Sequence, residues 1–224
     1  MQAQTSPDKS QHTIHRIEAF SDIVIGFCLA QLGLSLVLPK SATDMFSVWE
    51  STTFFISAFI FIAVLWWLHH RTFSSFFVLN IPMVVLNFGV LCGLVLTLYF
   101  LESIVRIAAM GQNPAVFFAM FVLTFAVVYA LLGAMLLVGL VVRRAELAAA
   151  ETRWGIAQFA SIVVAVIFGV GIGTYAALGG HGSSIKYVAL AAAISAVVVR
   201  RLVVPRLLQT LPTEGVVSPL HTKR

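Results

Sequence analysis

Seven residues beginning at Arg16, RIEAFSD, bring a guanidinium, two carboxylates and a hydroxyl together at the mouth of an apolar run that ends at Pro39. A second polar cluster, His69, His70 and Arg71 in WWLHHRTF, closes another apolar run, and single amides lie inside the first run, Gln31, and inside a third, Asn87. These groups can hydrogen-bond, pair charges and offer oxygen to a cation. They do not assemble a catalytic centre. The chain contains no G-x-S-x-G elbow, Walker loop or H-E-x-x-H pair. Adjacent His69 and His70 point about 100° apart on a helix, so one helix cannot aim both at a single metal. Cys28 and Cys92 both fall in apolar runs and read as reduced packing residues, and no Cys or His cluster has zinc spacing. The sequence therefore predicts neither an enzyme nor a bound cofactor or metal.

The elements that must position these residues follow from composition. With 60% hydrophobic residues, 10% charged residues and a mean hydropathy of +0.99, the chain is far more apolar than a soluble domain, in which about a quarter of residues are charged. This predicts an all-α integral membrane protein. Six runs approach the roughly 20 residues that a spanning helix needs: Ile17 to Leu38, Thr53 to Leu68, Leu79 to Leu101, Ala115 to Val142, Gly155 to Leu178 and Ile185 to Val204. Each is continuously apolar, which favours helices over the alternating strands of a barrel. The expected organisation is a polar tail over residues 1–15, a six-helix membrane domain over 16–205 and a basic tail over 206–224. The first tail lacks the apolar core of a signal peptide.

Six spans would place eleven of the fourteen Lys and Arg residues on the side of both termini and leave only Lys40, Arg106 and Lys186 opposite. By the positive-inside rule both termini are cytoplasmic. The net charge of +5 is then a topological signal with affinity for anionic membrane lipids, and nucleic acid is not an expected partner.

At the start of the first span, Arg16 and Phe20 are four residues apart, as are Glu18 and Asp22 on a neighbouring face. Asp22 lies about one and a half helical turns inside the apolar run. An unpartnered carboxylate is costly there, so it requires a partner or water. Arg16, Phe20, Ser21 and Asp22 spell R-x-x-x-F-S-D, and this motif resembles the signature of the transmembrane protein 175 family of potassium channels. Trp67, His69, His70, Arg71 and Phe73 are similar to the end of that family's second span, and Asn87 to a polar residue of its third.

The resemblance implies a homotetramer whose four first helices line a central pore, with rings of side chains in place of a carbonyl filter such as TVGYG. It further implies a polar network at the cytoplasmic end, formed by Arg16, Ser21 and Asp22 with one another or with Trp67, His70 and Asn87. Carried over by position, the lining residues are Phe27, Gln31 and Leu34, which share a helix face, with Leu38 extending it. Three residues depart from the family pattern. Phe27 replaces a branched aliphatic, Gln31 brings an amide to an apolar position, and Ala30 stands where a threonine is usual.

The function implied is passive conduction of potassium ions, in the plasma membrane of a prokaryote. Two alternatives stay open. A proton-coupled secondary transporter needs titratable groups near the midplane, and Asp22 lies close to one end. A non-conducting scaffold or sensor would keep the network and close the path with Phe27.

Overall fold

The computed structural model describes residues 7–34 and 45–179. They form five helices: α1 (Pro7–Leu34), α2 (Met45–Phe76), α3 (Ile81–Ala109), α4 (Ala115–Val142) and α5 (Ala149–Ala177). Each contains a stretch long and apolar enough to cross a membrane. The described chain is thus an all-helical, multi-pass membrane protein. The sixth expected span, Leu38 and the C-terminal tail lie outside the described residues.

Helix ends follow local chemistry. The Asn80 side chain caps α3 by accepting from the Met83 amide at 2.8 Å, and Pro82 stands in the first turn, where its missing N–H costs nothing. Gly111, at φ +71°, turns the chain after α3, and Gly179, at φ +84°, does so after α5. Before α5, the Glu151 carboxylate accepts from the Ala148 amide at 3.3 Å. Helix α1 starts at Pro7, so the polar segment ahead of Arg16 is helical from that residue onward.

Short connections over 77–80, 110–114 and 143–148 join α2 to α5 in succession. Helix α4 packs along both α3 and α5. Its glycines permit the close approach. A Cβ on Gly133 would stand 2.9 Å from the Ile162 side chain, and one on Gly139 would collide with the Phe76 carbonyl oxygen. Helix α1 lies against α2 and α3 through one face only: Ser21, Ile25, Cys28 and Leu32 are buried, at the i, i+4, i+7, i+11 spacing of a single stripe. The core continues through Ile62 and Leu65 of α2, Met83 and Val90 of α3 and Leu132 and Met135 of α4.

A polar junction beneath an exposed helix face

The buried stripe of α1 begins with Ser21, which is fully enclosed where α1 meets α2 and α3. A polar atom in that position needs partners, because lipid and packed side chains supply none. The Asn87 amide donates from Nδ2 to Ser21 Oγ at 3.1 Å. The Ser21 hydroxyl donates in turn to the Ile17 carbonyl of its own helix at 2.9 Å. On the other side, Asn87 Oδ1 lies 2.7 Å from His69 Nε2, and with the amide nitrogen committed to Ser21 this oxygen accepts from the imidazole. The three residues form a one-directional chain of donors, His69 to Asn87 to Ser21 to Ile17, that joins three helices.

A second polar layer lies outside the first. Asp22 Oδ1 accepts from the Trp66 indole at 2.9 Å, which answers the carboxylate's need for a partner. The Trp66 ring stacks on His70 with centroids 5.5 Å apart. His70 Nδ1 faces Glu18 at 3.4 Å, and His15 approaches the same carboxylate at 3.7 Å. Glu18 is therefore flanked by an imidazole from its own helix and one from α2. Phe20 meets Phe88 of α3 edge-on at 5.8 Å.

Of the residues expected in a network, Ser21 and Asn87 are joined directly, and Asp22 is joined to α2. Trp67 and Arg16 are exposed, and among the described residues Arg16 has no ion-pair partner. The bond to Asp22 comes from Trp66, and the bond to Asn87 from His69, while His70 belongs to the outer layer. Trp66 and Glu18 are additions that the motif reading does not make. A faint signal for His69 existed in the phase of α2: Ala58, Ile62, Leu65, His69, Thr72 and Phe76 are all buried on one stripe, and His70 is off it.

The opposite face of α1 has no neighbour among the described residues. Ile23, Phe27 and Leu34 are 69%, 71% and 81% exposed, and Gln31 lies exposed on the same side. Phe27, Gln31 and Leu34 thus share one uncovered face, directly behind the buried stripe that the junction anchors. At the junction's end of the bundle stand Arg16, Arg71, Arg143, Arg144 and Arg153, placed together by the Glu18 to His70, Ser75 to Arg143 and Phe76 to Trp154 contacts. At the far end Arg106 is tied to Glu102 at 2.7 Å.

Residues 16–97 match the model of a family described as endosomal/lysosomal potassium channel TMEM175. The matched segment covers most of α1, all of α2 and the greater part of α3, which are the three helices that build the junction. Comparison with curated proteins and with solved structures gives no significant match.

Proposed function

From the match of residues 16–97 to the TMEM175 family model, we propose that this protein is a potassium-preferring cation channel in which α1 lines a central pore made by four copies of the chain. The observation that carries the reading is the two-sidedness of α1. One stripe is buried and locked by Ser21, Asn87 and His69, while the stripe of Ile23, Phe27, Gln31 and Leu34 is uncovered. A helix fixed on one side and bare on the other suits a pore wall built by symmetry. The basic end, with five arginines among the described residues, supports an orientation that puts the N-terminus in the cytoplasm.

In such a pore the gradient drives the ion, and no cofactor takes part. Four Phe27 rings form an apolar ring that opposes wetting of the path, and four Gln31 amides one turn further offer oxygen to a cation that has shed part of its water. The polar junction sets the rotation of the helix and hence which side chains reach the axis.

Flux through proteoliposomes carrying a potassium gradient tests this. Electrogenic flux, independent of a proton gradient and increased by Phe27→Ala, is the expected result. A requirement for a proton gradient would make the protein a coupled transporter. Silence from assembled Phe27→Ala protein would leave the scaffold reading. Asp22→Ala is expected to weaken assembly more than it alters the preference for potassium over sodium. The reverse outcome would remove the bracing role from the motif.

A further inference from the structure

The end of the bundle where α2 and α4 finish and α5 begins carries cations that the polar junction does not use. The Arg71 guanidinium lies over the Trp154 ring, 5.1 Å from its centroid, and the same indole stacks on Phe76 at 5.8 Å. Arg143 is committed, donating to the Ser75 carbonyl at 2.7 Å and to Glu146 at 3.2 Å. Glu151 is committed to the Ala148 amide. Among the described residues, Arg71 and the exposed Arg153, which precedes Trp154 on α5, have no carboxylate partner.

We propose that Arg71, held over Trp154, binds the headgroup phosphate of an acidic phospholipid in the leaflet facing this end, and that Arg153, one position earlier on α5, adds a second cation at the same level. A guanidinium held over an indole still has N–H groups to offer, and their fork matches two oxygens of one phosphate. The seat is at headgroup depth, because it sits at the ends of three helices that are long and apolar enough to span, where tryptophan is favoured. Val141 and Val142, exposed at the end of α4, put apolar surface at the same end of the bundle. A phospholipid uses both features, whereas a soluble anion uses only the first. Among the described residues the far end offers no counterpart, since Arg106 is neutralised by Glu102.

Native mass spectrometry of the full chain, with phosphatidylglycerol and phosphatidylcholine of identical acyl chains as probes, tests the seat. The native protein is expected to retain phosphatidylglycerol preferentially, and the Arg71→Gln, Arg153→Gln double variant to bind it about fivefold or more weakly. Arg71→Lys, which keeps the cation but loses the fork, is expected to bind between the native protein and the double variant, and Arg106→Gln to retain all of the binding. Should the double variant not fold, Arg153→Gln alone is expected to lower binding about twofold. Undiminished binding by the double variant, or by Arg153→Gln in that case, overturns the proposal. An equal loss on Arg106→Gln overturns it as well. Full displacement of the lipid by an equal concentration of glycerol phosphate would make this a site for soluble phosphate and would likewise overturn it.

Discussion

Helix α1 and helix α4 sit in the same bundle but are held by different physics. Helix α4 is gripped on two sides by shape. Gly133 and Gly139 let neighbouring side chains and even backbone come into contact, and the gain is dispersion along its length. Helix α1 is held on one side, and its most enclosed contact is a chain of hydrogen bonds through Asn87. Dispersion fixes distance with little regard to rotation, whereas a buried amide between a hydroxyl and an imidazole accepts one rotation. The comparison teaches that the helix with an uncovered face is fastened by polar groups, and the helix enclosed by its neighbours by close packing.

The contrast can be broken most severely at Gly139. Gly139→Val drives a carbon bearing two methyl groups toward the Phe76 carbonyl and is expected to cost about 3 kcal/mol or more, or to prevent folding, as read by unfolding in detergent. Next in size is Asn87→Leu, which leaves Ser21 and His69 without their shared partner. A loss of about 1–2 kcal/mol is expected, with the α4–α5 contact intact by cross-linking. A loss as large as that of Gly139→Val would mean that the junction also holds the supporting helices together. Trp66→Phe keeps an aromatic ring and removes the bond to Asp22. It should cost about 0.5–1 kcal/mol, with the change confined to α1 in hydrogen exchange. Gly171→Ala is the control, for no atom lies within 4 Å of its would-be Cβ although Gly173, two residues on, is tightly enclosed. Stability equal to that of the native protein or up to about 1 kcal/mol higher is expected there. A large loss at Gly171 would show a neighbour against that face of α5.

Much of the described fold is legible in the apolar runs. The span expected at Ala115 to Val142 coincides with α4, because polar or turn-forming residues bound it on both sides. Helix α2, expected from Thr53 to Leu68, runs from Met45 to Phe76, since hydropathy marks only the part that lipid can solvate while the helix continues through HHRTFSSF. The site is legible in residue type but not in rotation. The sequence contains two tryptophans and two histidines side by side, and neighbours in a helix differ only by a turn of about 100°. Whether Trp66 or Trp67, His69 or His70 turns inward depends on which stripe of an almost wholly apolar helix packs against α1 and α3. No local property of the pair decides that. Asn87 was readable as a single polar residue in an apolar stretch, which had to be satisfied, and Ser21 through the motif it belongs to.

The bond from Ser21 to Ile17 bears on how the protein is made. The first helix reaches the membrane before Asn87, sixty-six positions later in the chain, has been synthesised. A serine with no partner would burden it during that interval. By donating to the carbonyl four residues back, Ser21 carries its own partner into the lipid and keeps a lone pair in reserve. When the third helix arrives, Asn87 can join without any bond having to break, so the order of synthesis and the order of satisfaction agree.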